Sequence, residues 1–157
     1  MQSFCYLANS EIDTAKLGTS LTDQLPASAM IALCGTLGAG KTRLVKAIAQ
    51  SYGVPAEAVV SPTFTLCNEY IGRRPIFHFD MYRIADEDEL HELGFEEYLQ
   101  RPGLTIVEWA DRFAEAMPID KLTINLDVLS ETARQITLTA ETATYENLLE
   151  VLAKKIP

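Results

Sequence analysis

The sequence predicts a three-layer α/β protein with a mixed sheet, and three observations predict it. Met30-Ile-Ala-Leu-Cys34 and Leu104-Thr-Ile-Val-Glu108 are nearly unbroken apolar runs, the pattern of strands buried on both faces. The first run leads through a glycine-rich turn directly into the helix-forming stretch Lys41–Ser51, giving strand, loop, helix. Finally, strand-like segments outnumber what plain βα alternation would supply, so the sheet is expected to be parallel near the glycine loop and antiparallel towards an edge. The 157 residues suit one domain spanning 1–157.

In chain order, Gln2–Leu7 reads as a short strand. Ser10 or Asp13 is placed to cap a helix whose apolar positions Ile12, Ala15, Leu17, Leu21 and Leu25 recur near helical spacing until Pro26. Leu44, Val45 and Ile48 give the helix after the glycine loop one apolar side, and Gly53 stops it. Phe64–Ile71 and Pro75–Asp80 are predicted to pair as a hairpin turning at Gly72-Arg73-Arg74. Asp86–Gln100 reads as one acidic helix with Leu90, Leu93, Phe95 and Leu99 inward and Pro102-Gly103 closing it. A short helix over Asp111–Met117, strands over Lys121–Val128 and Gln135–Ala140, and a closing helix over Thr144–Lys155 complete the expectation.

Composition narrows the function classes. Apolar residues make up 48% and charged residues 22%, which describes a folded chain rather than a disordered or disulfide-stapled one. Thirteen Lys and Arg against 22 Asp and Glu leave a net charge of −9, a surface that repels phosphate backbones, so autonomous DNA or RNA binding is not expected. Cys5, Cys34 and Cys67 form no CxxC pair and point to a reducing, cytoplasmic setting, with Cys34 read as core filler. No secretory leader and no run of about 18 apolar residues is present, so no membrane association is expected.

Gly35-Thr-Leu-Gly-Ala-Gly40-Lys41-Thr42 fits G-x-x-x-x-G-K-[ST]. The glycines let the backbone curl so that successive N–H groups face phosphate oxygens, and the helix beginning at Lys41 offers its positive end. Lys41 supplies a compact cation for the β and γ phosphates, and the Thr42 hydroxyl suits a Mg2+ ion that keeps several waters. This is a P-loop, and it makes the expected fold P-loop NTPase-like. Such a site needs a carboxylate at the end of a neighbouring strand, and both Asp80 and Glu108 qualify; spacing does not decide which lies nearer the metal. Ser61-Pro62-Thr63-Phe64 reads equally as a switch segment reaching the γ phosphate or as an ordinary turn. His78, alternating with Phe77 and Phe79, is read as a packed core residue, and His91 as solvated. Trp109 is a core anchor or, favoured by its place after Glu108, a platform at the mouth of the site.

Between Asp80 and Glu97 eight acidic residues face one basic residue, Arg83, so the flank is either a solvated helix surface or a docking face for a basic partner. Arg73, Arg74, Arg83 and Arg134 are the candidate cations for nucleotide charge, an arginine finger being one role open to them, and sequence alone does not choose among the four. Two rival functions stay open at this point: a small P-loop kinase, which needs a second substrate site, and a nucleotide-sensing adaptor without catalysis. A GTPase is disfavoured because no N-K-x-D motif occurs.

Taken together, GTLGAGKT, SPTFTL, HFDMYR and VEW at these separations resemble the bacterial TsaE family, formerly YjeE, from about Thr14 to Arg134. That resemblance implies a small ATPase of tRNA threonylcarbamoyladenosine biosynthesis, slow alone and active with the TsaD and TsaB proteins, meeting tRNA only through that complex. It implies further that Leu37, Gly38, Ala39, Gly40, Lys41 and Thr42 hold the phosphates of ATP, which leaves as ADP, and that Thr42 and Glu108 coordinate Mg2+. Asp80 would be the Walker-B-like acid, Thr63 the switch threonine, and Trp109 a residue at the site; Thr14 and Arg134 would touch the nucleotide. Lys41, Asp80, Glu108 and Thr63 are thus the expected catalytic set. Thr36 departs from the pattern, since many relatives carry Asp there.

Overall fold

Side chains that are apolar on both faces drive the strand Ala29–Gly35 (β2) into the middle of the molecule, where Ile31 and Leu33 pack one way and Met30 and Ala32 the other. The computed structural model, which describes residues 1–156, builds a seven-stranded sheet around it. The other strands are β1 (Gln2–Ala8), β3 (Cys67–Ile71), β4 (Pro75–Asp80), β5 (Leu104–Glu108), β6 (Leu122–Val128) and β7 (Arg134–Ala140). Their spatial order is β1-β7-β6-β2-β5-β4-β3. β6, β2, β5 and β4 run parallel, while β3 and the β7–β1 pair are antiparallel additions. The antiparallel character therefore lies at both edges, not one.

Helices cover both faces. α1 (Glu11–Thr22), α2 (Lys41–Ser51) and α5 (Ala143–Lys155) bury Leu17, Leu21, Leu44, Val45, Ile48, Leu148 and Leu152 against one face. α3 (Glu87–Glu92), α4 (Phe95–Gln100) and a 3-10 segment at Ala110–Ala116 bury Leu90, Phe95 and Phe113 against the other. Ser10 caps α1, its hydroxyl accepting from the Asp13 N–H at 3.2 Å, and Asp13 returns a carboxylate to the Asn9 N–H at 3.0 Å. Both capping candidates are thus used. α1 stops at Thr22, where a tight bond from the Gln24 N–H to the Leu21 carbonyl closes it short of Pro26.

Three predicted elements differ. The acidic helix expected over Asp86–Gln100 is two helices, because Gly94 sits at φ 74° and ends α3 with its N–H on the His91 carbonyl before α4 starts. The strand expected from Phe64 begins only at Cys67: Leu66 is left-handed at φ 69° and turns back to the Pro62 carbonyl, leaving Phe64 exposed. The helix expected over Asp111–Met117 is 3-10, kinked where Phe113 leaves helical geometry to enter the core. Among the described residues no helix is long and apolar enough to cross a membrane.

Parallel alignment of β2, β5 and β4 brings their carboxyl ends together, with Asp80 directly opposite Glu108 and Leu33 opposite Glu108 on the other side. The glycine loop leaves from that same end, where open α/β sheets place ligands.

Candidate functional site

The loop after β2 owes its shape to residues without side-chain obstruction. Gly40 caps α2 at φ 104° with no side-chain bond, and the Ala39 N–H closes a turn on the Thr36 carbonyl. Lys41 begins α2 and folds its ammonium back across the loop onto the Gly35 carbonyl at 2.6 Å and the Thr36 carbonyl at 3.0 Å. The same nitrogen lies 4.0 Å from the centroid of the Trp109 indole. Burial lowers the Lys41 pKa from the usual lysine value, with Glu108, Asp80 and Asp111 opposing that shift through their negative charge.

A cleft of about 490 Å³ opens over this loop. It brings together ten of the residues singled out by sequence: Leu37, Gly38, Ala39, Gly40, Lys41, Thr42, Thr63, Asp80, Glu108 and Trp109. Thr14 and Arg134 line a separate crevice of about 70 Å³, which shares Gly38, Ala39 and Gly40 with the larger cleft. Arg134 donates to the carbonyls of Ala39 at 2.9 Å and Gly38 at 3.3 Å, so it fastens the loop backbone. The crevice and the cleft are two sides of one loop.

The two buried acids are held differently. Glu108 accepts the Thr42 hydroxyl at 2.9 Å and the His78 Nε2 at 2.8 Å, both on Oε1. Asp80 takes the Thr63 hydroxyl at 3.0 Å and the Ser61 hydroxyl at 3.4 Å on Oδ2, while its Oδ1 receives the Tyr82 N–H at 2.8 Å. Ser61 and Thr63 are themselves 2.8 Å apart. Glu108 is therefore coupled to the phosphate loop, and Asp80 to the segment 61–63. A hydroxyl and a carboxylate oxygen side by side are hard donors of the kind Mg2+ prefers, so Thr42 and Glu108 fit that ion, which would take its other ligands from phosphate and water.

The nominated arginines separate by position. Arg73 and Arg74, in the hairpin turn, bond the Ser51, Pro26 and Ala27 carbonyls at the far end of the sheet, whereas Arg83 lines the cleft with its guanidinium 4.4 Å from the Phe64 ring centroid. His91 is exposed, as expected. Cys34 is half-buried, and burial pushes its thiol up to about 11, consistent with a packing role. Trp109 adopts the left-handed region at φ 58°, which swings its ring into the cleft instead of along β5.

Sequence reasoning missed three groups. Arg43 lines both cleft and crevice and pairs with Glu11 at 2.7 Å. Arg112 donates to the Tyr82 and Ile84 carbonyls at 2.8 Å each, pinning the turn that follows Asp80. His78 is fully buried as predicted, yet its ring bridges Tyr70 and Glu108 instead of only filling space. A period-two reading of Ile76, His78 and Asp80 on one face of β4 contained the signal for the last of these.

The fold and loop define an α/β protein of the P-loop NTPase-like class. The family model described as "Threonylcarbamoyl adenosine biosynthesis protein TsaE" matches residues 8–136. The tRNA threonylcarbamoyladenosine biosynthesis protein TsaE of Treponema pallidum is 37% identical over 132 residues, covering 84% of this chain and 97% of that one. The Bacillus subtilis protein of the same name is 40% identical over 126 residues, covering 80% and 78%. A solved structure described as Bacillus subtilis YdiB superposes with a TM-score of 0.81 at 28% identity, covering 98% of this chain and 96% of that one. The chain belongs to the TsaE family, and thereby to tRNA threonylcarbamoyladenosine biosynthesis.

Proposed function

We propose that the chain is a Mg2+-dependent ATP hydrolase that supports the TsaD–TsaB pair in the cytoplasm, where that pair transfers the threonylcarbamoyl group to the adenosine beside the tRNA anticodon. One observation carries the reading. The curled loop with its buried Lys41 ammonium lies beside the Thr42–Glu108 pair in one cleft, the combination that a metal-bound triphosphate requires.

In this reading the loop N–H groups and Lys41 take the β and γ phosphates, Lys41 exchanging two carbonyl partners for phosphate oxygens. Thr42 and Glu108 hold Mg2+, which when bound neutralises charge on the phosphate oxygens. Asp80 holds Thr63 by its hydroxyl, keeping the 61–63 segment beside the phosphates to orient water. Water oxygen bonds to the γ phosphorus, the bond to the bridging oxygen breaks, and ADP and phosphate leave. Trp109 and Lys41 cover the loop side of the cleft and limit solvent there. The crevice with Thr14 and Arg134 borders the same three loop residues, which supports a contact of both with the nucleotide beyond its phosphates.

Single-turnover hydrolysis of bound ATP with Mg2+, measured with and without TsaD and TsaB, tests this. Release of ADP and phosphate, faster with the pair, is the expected result. ATP that stays intact with every partner present overturns hydrolysis and leaves a nucleotide-sensing adaptor. A slow rate that a small metabolite accelerates, with transfer of the phosphoryl group to it, overturns it in favour of a kinase.

A further inference from the structure

A chain of hydrogen bonds runs beneath the site and is not used by the mechanism above. It begins at the Val60 carbonyl, which leads into the 61–63 segment, accepts from Asn68 Nδ2 at 3.2 Å and lies 3.1 Å from the Tyr70 hydroxyl oxygen. The Tyr70 hydroxyl lies 3.0 Å from His78 Nδ1, and His78 Nε2 lies 2.8 Å from Glu108 Oε1, which the Thr42 hydroxyl also reaches. Register explains the path: Tyr70 and His78 are diagonal neighbours across β3 and β4, as are His78 and Glu108 across β4 and β5.

The direction of each bond follows from supply and demand. Burial raises the Tyr70 pKa, so its hydroxyl keeps the proton. The single Tyr70 hydroxyl proton has two acceptors in reach, the Val60 carbonyl and His78 Nδ1; the carbonyl is already served by Asn68 Nδ2 and the ring nitrogen has no other donor, so the proton goes to His78 Nδ1. The ring then carries its proton on Nε2 and donates to Glu108. Both hydrogen bonds that Glu108 receives converge on Oε1, which fixes the carboxylate's rotation. Packing alone would be served equally by an apolar side chain; a fully buried imidazole with both nitrogens engaged has a directional task.

We propose that His78 is a positioning residue for Glu108, held in its Nε2–H form by Tyr70, so that the carboxylate presents its other oxygen to the cation beside Thr42. This rests on the Mg2+-nucleotide reading and assigns to it a support reaching from the edge strand to the head of the 61–63 segment. The chemistry is that of a histidine buttressing a metal-bound carboxylate from behind.

The test uses the full-length chain and calorimetric titration with ADP, each protein measured in excess EDTA and across a Mg2+ series. His78→Phe keeps an aromatic ring and removes both bonds; it is expected to weaken apparent Mg2+ affinity in the ADP complex about tenfold while metal-free ADP affinity stays within about twofold. His78→Gln, whose terminal amide restores a donor near Nε2, is expected to recover most of that loss. Tyr70→Phe, which leaves the imidazole in place but frees its tautomer, is expected to cost about threefold, and it carries the test together with His78→Gln if thermal melts show His78→Phe unfolded. Wild-type Mg2+ affinity in both His78→Phe and Tyr70→Phe overturns the proposal. So does parallel loss of metal-free and Mg2+-bound affinity with no recovery in His78→Gln, the mark of a purely structural residue. A wild-type protein whose ADP affinity ignores Mg2+ overturns the parent reading instead, and is distinguishable because no variant is needed to see it.

Discussion

The two wings of the sheet are built from similar lengths of strand but bury different chemistry. On one side of β2, the strands β6 and β7 bury Leu122, Ile124, Leu126, Ile136, Leu138 and Ala140, and their polar side chains alternate outward. On the other side, β5 and β4 bury Thr105, Glu108, His78 and Asp80 among their apolar residues. Four of the seven buried polar or charged residues of the described chain thus lie on two adjacent strands, and the remaining three, Thr14, Thr22 and Lys41, lie on α1 and α2. Burying such groups is unfavourable unless they find partners: Glu108 has Thr42 and His78, Asp80 has Thr63, and Lys41 has two loop carbonyls. One wing is an apolar scaffold, and the other carries the buried polar groups of the candidate site.

Substitutions in each wing should therefore separate stability from activity. Glu108→Ala should reduce ATP turnover by about 100- to 1,000-fold while sparing most of the binding, seen as kcat falling far more than KM rises. Leu138→Ala, on the apolar wing, should lower unfolding free energy by about 2–5 kcal/mol in urea titration yet leave nucleotide affinity of the folded protein unchanged. If Leu138→Ala impaired affinity, the division between wings would be broken. Lys41→Ala should cost about 100-fold in ATP affinity by calorimetry. Thr63→Ala, which removes the hydroxyl on Asp80, should slow turnover about tenfold with little change in affinity. The mildest probe is thiol labelling at pH 8: exposed Cys5 should react first, and Cys34 and Cys67, each pushed up to about 11 by burial, should stay protonated and lag. Labelling of all three at one rate would mean the acid-bearing wing is loosely packed.

Much of this was legible beforehand, for physical reasons that differ by element. The loop was readable because G-x-x-x-x-G-K-[ST] constrains backbone and charge at once, and β2 because a run without alternation has two buried faces. Asp80 and Glu108 were readable as acids ending apolar strands, but their different attachments depend on which hydroxyls the loops deliver, which no local pattern encodes. The helix expected over Asp86–Gln100 went wrong because continuous acidic amphipathicity outweighed one glycine, and Gly94 at φ 74° divides it. His78 is legible as a buried residue, but its bonds to Tyr70 and Glu108 are not, since alternation gives the face of a residue and not its diagonal neighbours. Arg73 and Arg74 were plausible by charge alone and lie at the wrong end of the sheet.

The left-handed turn at Trp109 rests the only indole of the chain against the ammonium of Lys41 at 4.0 Å. Fluorescence of an indole responds to a cation parked on its face, so an anion that pulls the lysine aside would change the emission. Should such an anion bind the loop, the indole would report it without any label.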